Sequence, residues 1–284
     1  MSTVTLAIFL KCCFTIAKAT TLTPNLKARI PSYLLTLTLS PALHAEHASL
    51  HKKSHYTSSA QLTVQHTVEE LQDSLLLTVI NFPRKQIGPK MSDCLVTGVQ
   101  PVGPLATQDV KREHTVCIRP FSLSSNPSSF QVEPGSRVGI LPTQFTTGHL
   151  VASNPRDLTW EEFALVHLAV GCITSYVSPP ETVGPQQSAE GWVLHYFRVD
   201  FGDETGGERD AAVWLVDDEA SLVDLARLVG RQVLAVVNIA LEPETAQDSP
   251  SAPFLTRGAA AILTVGGRAL LEPRKEVPNG NRLA

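Results

Sequence analysis

"LLLTVINFPRKQIGPKMSDCLVTG", residues 75–98, is the stretch on which the fold prediction depends. Two apolar runs, "LLLTVI" and "CLVTG", flank a segment that holds three cations (Arg84, Lys85 and Lys90) and two prolines. Apolar runs rich in β-branched residues and bounded by Pro and Gly are typical of strands joined by a loop. The pattern therefore predicts a strand, a stiff cationic loop and a second strand.

The same order of short motifs occurs twice in the chain, which indicates an internal repeat. Four pairs match in register: "LLLTVINF" (75–82) with "VLAVVNIA" (233–240), "CLVTG" (94–98) with "ILTVG" (262–266), "VEPGSRV" (132–138) with "VPNGNRL" (277–283), and "YLLTLTL" (33–39) with "HYFRVDF" (195–201). We predict a first domain over 1–141, a linker over 142–156 and a second, diverged acidic domain over 157–284.

Each copy is predicted to consist mostly of strands, with short helices over 67–72, 157–167 and 217–230. The apolar N-terminal segment, residues 1–19, is interpreted as the first β-strand and not as a signal peptide, because Lys11 interrupts it and no basic region precedes it. Several short strands and a small helix in each copy predict an all-β fold with minor helix: two OB-fold-like five-stranded barrels in tandem.

Charge is distributed unevenly along the chain, although the net charge of the whole is only −4. Residues 1–142 carry 13 Lys and Arg against 8 Asp and Glu, a net +5, whereas residues 143–284 carry 10 against 19, a net −9. This difference predicts two units with different electrostatic roles, and it argues against general binding of polyanions by the whole protein.

No motif for catalysis, metal binding or membrane insertion is present in the sequence. Five cysteines without a CxxC pair favour a reducing, cytoplasmic compartment, and no apolar run reaches the length of a membrane span. His44, His47, His51 and His55 have helical spacing, but a solvated insertion explains them better than a metal site does. Without a nucleophile–base set or a phosphate-binding loop, we predict no enzyme activity, no cofactor and no metal.

Several motifs resemble the tRNA-binding domain family, and in particular its CsaA-type members, described as tRNA-binding or export-chaperone-like proteins. The motifs in the first copy are "KARIPSYLLTLTL", "SSAQLT", "TVINFPRKQIGPKMSDCLVTG" and "EPGSRVG"; those in the second are "LTWEEFALVHLAVGCI", "FRVDFGDE", "LVGRQVLAVVN" and "LLEPRKEVPNGNRL". The resemblance implies an OB-fold and a homodimer of CsaA type. A tandem chain would supply both halves of such a dimer as an intramolecular pseudo-dimer.

The resemblance also implies a site for RNA, tRNA above all, in the first copy alone. Its residues are Ser58, Ser59, Gln61, Asn81, Arg84, Lys85, Lys90, Met91 and Ser92. Arginine forks onto phosphate and lysine supplies a point charge, while hydroxyl and amide groups suit bases and ribose. In the second copy "DAAVW" (210–214) replaces "SSAQ", and the loop after Asn238 is acidic.

Two other functions use the same features differently. In a chaperone-like module, unfolded polypeptide would lie in the groove against Phe82, Ile87 and Met91, although the barrel core explains the first two better. In an adaptor, the acidic second copy would dock a basic partner. Non-catalytic RNA binding is the leading prediction; no membrane partner is expected, and further oligomerisation is left open.

Overall fold

A computed structural model describes most of the chain. The described residues are 3–25, 30–39, 55–87, 90–102, 107, 110–111, 114–124, 130–146, 158–177, 191–216, 225–240 and 260–283. Below, the first half means the described residues up to 146, and the second half those from 158 onward.

Strands dominate the first half, as the sequence predicts. Its elements are β1 (Val4–Thr5), α1 (Leu6–Lys11), β2 (Phe14–Pro24), β3 (Tyr33–Thr38), β4 (Tyr56–Ala60), α2 (Val68–Leu71), β5 (Leu75–Val79), β6 (Lys85–Ile87), β7 (Lys90–Ser92), β8 (Leu95–Val96), β9 (Gly98–Gln100), β10 (Val116–Ser122), β11 (Val138–Gly139) and α3 (Thr143–Thr146).

The second half contains a similar series of elements. They are α4 (Trp160–Leu165), β12 (Leu168–Val177), β13 (Trp192–Asp200), a 3-10 turn (Asp203–Thr205), β14 (Glu208–Val216), a second 3-10 turn (Leu225–Leu228), β15 (Gln232–Val236), β16 (Ile239–Ala240), β17 (Ala260–Ile262), β18 (Thr264–Val265), β19 (Ala269–Pro273) and β20 (Arg282–Leu283). Residues 217–224 of the helix predicted over 217–230 lie outside the described residues.

Both halves form five-stranded barrels of OB-like topology. In the second, β12, β13 and β14 form an antiparallel meander, β15 pairs with β12, and β17 lies between β15 and β14. The parallel pairing of β17 with β14 closes this barrel. In the first, β2, β3 and β4 form the meander, β5 pairs with β2, and β8 pairs with β5 and contacts β4. A short helix or 3-10 turn stands between the third and fourth barrel strands in each half.

The two barrels exchange strands reciprocally. β11 of the first half pairs with β18 of the second, and β20 of the second pairs with β9 of the first. Between them β10 and β19 pair in antiparallel fashion, with Arg119 opposite Glu272. On either side of that pair, Ile118 faces Pro273 and Pro120 faces Leu271. Arg119 and Glu272 therefore lie opposite each other in the ladder that joins the two halves.

Three apolar clusters make up the core. One fills the first barrel around Leu35, Leu37 and Leu76, and another fills the second barrel around Phe197 and Val213. The third, which we call the inter-half cluster, joins residues of both halves: Phe9, Phe14, Ile16, Leu77, Phe82, Phe163, Val170, Trp192, Leu234 and Leu271 are among its members. Much of the apolar area that stabilises each half is thus buried only when the other half is present.

A helix replaces the N-terminal strand predicted from the sequence. Only Val4 and Thr5 are extended; α1 follows, and the long strand β2 begins at Phe14. The Thr5 hydroxyl accepts the N–H of Ile8 and caps this helix, and Phe9 is buried against Phe14 with ring centroids 5.8 Å apart. The strand prediction for residues 6–11 is wrong because an apolar segment can be buried equally well as a short helix in an interface.

One buried asparagine in each half fixes the turn that leads into the barrel's first strand. The side chain of Asn81 accepts the N–H of Cys13 at 2.9 Å and donates to the carbonyl of Lys11 at 2.7 Å. Asn238 makes the same pair of bonds, with the N–H of His167 at 2.9 Å and the carbonyl of Leu165 at 2.7 Å. Each amide therefore satisfies one backbone donor and one acceptor at the end of α1 or α4.

We expect Asn81→Ala and Asn238→Ala each to lower the free energy of unfolding by about 1–3 kcal/mol, because each change leaves a buried backbone donor and acceptor unsatisfied. Urea denaturation of the purified variants measures this. Gln72→Ala is the control: this exposed amide bonds the Thr20 carbonyl, and its removal should cost less than about 0.5 kcal/mol. Equal stability of all three variants would contradict the assigned role.

Candidate nucleic-acid interface

The cationic segment between the apolar runs 75–80 and 94–98 forms a β-hairpin. Strands β6 and β7 pair in antiparallel register, with Lys85 opposite Ser92 and Ile87 opposite Lys90. We call residues Arg84–Ser92 the cationic hairpin; Gly88 and Pro89 at its tip lie outside the described residues. The side chains of Arg84, Lys85 and Lys90 are exposed.

The base of the hairpin is bonded to β4, the third strand of the first barrel. The Thr57 hydroxyl donates to the Met91 carbonyl at 3.0 Å, and the N–H of Asp93 donates to the Thr57 carbonyl at 2.7 Å. The Asp93 carboxylate in turn accepts the N–H of Thr57 at 3.2 Å. These bonds fix the orientation of the hairpin beside the outward face of β4.

Arg84 is held by the same aspartate. Its Nε lies 2.8 Å from Oδ1 of Asp93, whose side chain is only 6% exposed, while the Arg84 side chain is 46% exposed. The ion pair fixes the guanidinium at the surface and offsets part of its charge. Asp93 and burial together raise the pKa of the neighbouring Cys94 thiol, with burial as the larger cause, so that this thiol is neutral.

The structure divides the nine residues of the predicted site into two groups. Arg84, Lys85, Lys90, Met91 and Gln61 are exposed, and Ser59 is half-buried. Ser58, Asn81 and Ser92 are buried. The hydroxyls of Ser58 and Ser92 both donate to the Cys94 carbonyl, at 3.2 and 2.8 Å, and both ends of the Asn81 amide are bonded to backbone. Any contact of these three with RNA stays a prediction; their observed bonds stabilise the barrel and the hairpin base.

An aromatic group from the second half lies against the hairpin. The ring of Trp160, the first residue of α4, stacks on Phe82 with centroids 4.2 Å apart and planes inclined by 15°. The Nζ of Lys85 lies 4.4 Å from the centroid of the Trp160 ring. Phe82 is thus part of the inter-half cluster, not of the first barrel's interior, and it is too buried to offer a peptide-binding surface.

Helix α4, which carries Trp160, is fixed at both its start and its side. Thr159 and Glu162 form a capping box, in which each side chain bonds the other's backbone N–H. The Glu162 carboxylate also accepts a hydrogen bond from the Lys11 ammonium, with Nζ 2.7 Å from Oε1. Two hydrogen bonds hold the pKa of Glu162 below its ordinary value, so that the carboxylate is charged. The bond from the Lys11 ammonium has the larger effect, and the bond from the Thr159 N–H has the smaller one.

Much of the corresponding face of the second barrel is covered. Trp192 and Tyr196 of β13 and Trp214 of β14 are buried in the inter-half cluster, while Arg198 and Asp210 of the same strands stay more than 40% exposed. Phe145 of α3 stacks on Trp192 with centroids 5.3 Å apart and planes inclined by 13°. This covered apolar face contrasts with Thr57 and Ser59, which are half-buried polar residues on the equivalent strand β4 of the first barrel.

Sequence reasoning missed Thr57, Asp93 and Trp160. Thr57 directly precedes the motif "SSAQLT", and Asp93 lies within "TVINFPRKQIGPKMSDCLVTG". The sequence therefore marks the segments that hold both residues, but it does not show the cross-strand bonds between them. Trp160 is 78 residues from Phe82 and belongs to the other half, so that only the arrangement of the halves brings the two together.

Other candidate chemistry is sparse in the part of the chain that the structure describes. No group of three or more His, Cys, Asp and Glu residues there is placed to hold a metal ion, and of the four spaced histidines only His55 is described. The five cysteines are free thiols. None of the described helices is long and apolar enough to cross a membrane.

Fold and site together define an all-β protein of two OB-like barrels with one exposed cationic hairpin. No protein-family model matches the chain, and no curated protein matches it either. Solved structures with similarity include the CsaA chaperone protein of Picrophilus torridus, at 23% identity over 48% of this chain and 99% of that one, with a TM-score of 0.34. The C-terminal domain of Plasmodium vivax p43 matches at 11% identity over 74% and 95%, with a TM-score of 0.38.

A third similar structure is the MetRS-related protein of Pyrococcus horikoshii, at 22% identity over 44% of this chain and 95% of that one, with a TM-score of 0.26. The CsaA match is of the type that the sequence motifs resemble. The two-barrel architecture follows from the strand pairing described above.

Proposed function

We propose that the protein binds RNA without catalysis, through the cationic hairpin and the outward face of β4, with tRNA as the class that the sequence resemblance favours. The observation that carries the proposal is the hairpin itself: three exposed cations stand on a short two-stranded element whose base is bonded to the barrel. OB-like barrels commonly bind nucleic acid on a barrel face flanked by such loops.

The anchored base of the hairpin favours binding. The bonds of Thr57 to the Met91 carbonyl and to the Asp93 carboxylate hold the backbone at this base in place before any ligand arrives. A preordered loop loses less conformational entropy on binding than a free one. Ser59 on β4 and exposed Gln61, just after that strand, offer hydroxyl and amide groups to a base or ribose, and the Ser59 hydroxyl also lies 3.2 Å from that of Ser32.

The affinity is limited by the number of cations. Each phosphate neutralised on a single strand contributes about 0.7 to the slope of log affinity against log salt concentration, so three cations give a slope of about −2. Asp93 offsets part of the Arg84 charge, which lowers the slope further. The proposal is therefore a binding protein of modest affinity with a shallow salt dependence.

Binding of unfolded polypeptide is the second candidate, and Met91 is the observation that favours it. Its side chain is 40% exposed, opposite Gln86 in the hairpin register, and methionine adapts to varied apolar partners. The strength of apolar contacts changes little with salt concentration. If the protein binds an unfolded peptide with the same affinity at 50 and 200 mM KCl, this result supports the alternative.

We expect the triple variant Arg84→Gln, Lys85→Gln and Lys90→Gln to bind tRNA at least tenfold more weakly than the unmodified protein, because it removes the phosphate contacts. Gln at position 84 can still donate to Asp93, which protects the fold. Fluorescence anisotropy with labelled tRNA at 50–200 mM KCl measures both the affinity and its salt slope.

The matched control removes three exposed cations elsewhere, by Lys18→Gln, Arg198→Gln and Lys275→Gln, and so changes the net charge equally. Its tRNA affinity should stay within about twofold, and the melting temperature of both triple variants should stay close to that of the unmodified protein. Equal weakening by both triple variants would show that net charge, and not the hairpin, governs binding.

A further inference from the structure

Trp160 differs from the other two tryptophans in its surroundings. Trp192 and Trp214 are 5% and 3% exposed in the inter-half cluster, whereas Trp160 is 37% exposed next to the cationic hairpin. A large aromatic ring at the surface, beside exposed cations, is the arrangement with which proteins bind unpaired bases.

The two faces of the Trp160 ring have different neighbours. Phe82 stacks on one face at 4.2 Å, which leaves no room for another group there. The Lys85 ammonium, 4.4 Å from the ring centroid, therefore lies over the opposite face. The Lys85 side chain is exposed, and a lysine that moves away uncovers aromatic surface backed by a second ring.

We propose that Trp160 is a stacking platform for an unpaired nucleobase, and that the base replaces the Lys85 ammonium on the open face of the indole while the ammonium moves to a neighbouring phosphate. This inference rests on the proposed RNA binding and names a subsite within it. The exchange is favourable because a cation over an exposed ring is weakly held, whereas a base gains a broad stacking contact and the lysine gains an anion.

The geometry supports a platform that is in place before RNA binds. The capping box of Thr159 and Glu162 fixes the first turn of α4, the Lys11–Glu162 ion pair ties α4 to α1, and Phe163 packs edge-on against Trp160 with centroids 6.4 Å apart. The indole thus cannot turn away without disturbing the helix start. The site is shared: cations come from the first half and the ring from the second.

The subsite selects for exposed bases over duplex. In a duplex each base is already stacked, whereas bases in single strands, loops and ends can leave the chain and lie on an aromatic ring. Because every base has a π-face, the platform itself specifies little sequence.

The test compares Trp160→Leu, which removes the ring, with Trp160→Phe, which keeps a smaller one. Binding of a labelled 12-nucleotide oligo(A) and of labelled tRNA is measured by anisotropy for each variant. We expect Trp160→Leu to lose about tenfold in affinity for oligo(A) and Trp160→Phe to lose much less. Tyr176→Leu is the matched control, since this tyrosine is 42% exposed in the same half but away from the hairpin, and its affinity should not change.

Tryptophan fluorescence provides a second readout, independent of affinity. The emission of the unmodified protein minus that of Trp160→Phe isolates the contribution of Trp160, and stacking of a base should quench this difference. Unchanged affinity of Trp160→Leu together with no quenching would overturn the platform while RNA binding by the hairpin survives. Absence of RNA binding by the unmodified protein would instead remove the proposed function, and the platform with it.

Discussion

Residues 1–141 produced alone will not fold into a stable monomer. In the full chain the side chains of Phe9, Phe14 and Leu77 are buried in the inter-half cluster, and they become exposed when residues from 158 onward are removed. The isolated half also loses the partners of β9, β10 and β11, which pair with β20, β19 and β18. Exposed apolar surface and unpaired strand edges both favour aggregation.

Thermal unfolding followed by circular dichroism measures this. We expect the isolated half to show no cooperative transition, or to form a self-associated species on size-exclusion chromatography. The matched control is the full chain with a protease site placed between residues 147 and 157 and then cleaved. Its halves should remain together and melt cooperatively, because the interface and not the connection holds them. A monomeric first half that melts like the full chain would contradict the prediction.

Glu272→Lys will destabilise the protein by about 3 kcal/mol, and Glu272→Gln by about 1–2 kcal/mol. The Glu272 carboxylate is 11% exposed and bonds both Arg119, at 3.0 Å, and Arg231, at 2.7 Å. Loss of the carboxylate leaves two guanidinium groups close together without their anion, and lysine adds a third cation. The expected loss of stability is at the low end of the range for a broken buried ion pair, because both arginines are nearly half exposed to water.

Urea denaturation gives the free energies, and Asp210→Asn is the control. Asp210 pairs with Arg198 at 3.3 Å, but both side chains are more than 40% exposed, so its loss should cost less than about 0.5 kcal/mol. A cost for Glu272→Lys as small as that of Asp210→Asn would show that the ion pairs of Glu272 contribute no more than a surface contact.

The fold could be predicted from the sequence where one residue pattern dictates one structure. The alternation in "YLLTLTL" predicts a half-buried strand, and β3 spans Tyr33–Thr38 with alternating burial. The helix predicted over 157–167 is confirmed as α4, and the Thr159 side chain caps its start. The domain boundaries, which the structure does not test, stay a prediction.

Residues 6–11 show where sequence patterns fail. Their apolar side chains fit a strand or a helix equally well, and the inter-half cluster, which joins segments far apart in the chain, decides between them. For the same reason the sequence could place Arg84 and Lys85 in one loop but could not show what they contact. Arg84 pairs with Asp93, and the Lys85 ammonium lies over the Trp160 ring. Contacts across the barrel and between the halves follow from tertiary packing, not from local pattern.

The stack of Phe145 on Trp192 has a consequence for stoichiometry. A symmetric pair of barrels would present two equivalent faces, and a long RNA could bridge them or two molecules could occupy them. Here the part of the β13–β14 face around Trp192, Tyr196 and Trp214 is apolar and buried, whereas Thr57 of β4 is a half-buried polar residue bonded to the base of the cationic hairpin. If the hairpin binds RNA as proposed, each molecule therefore takes up one ligand at this site.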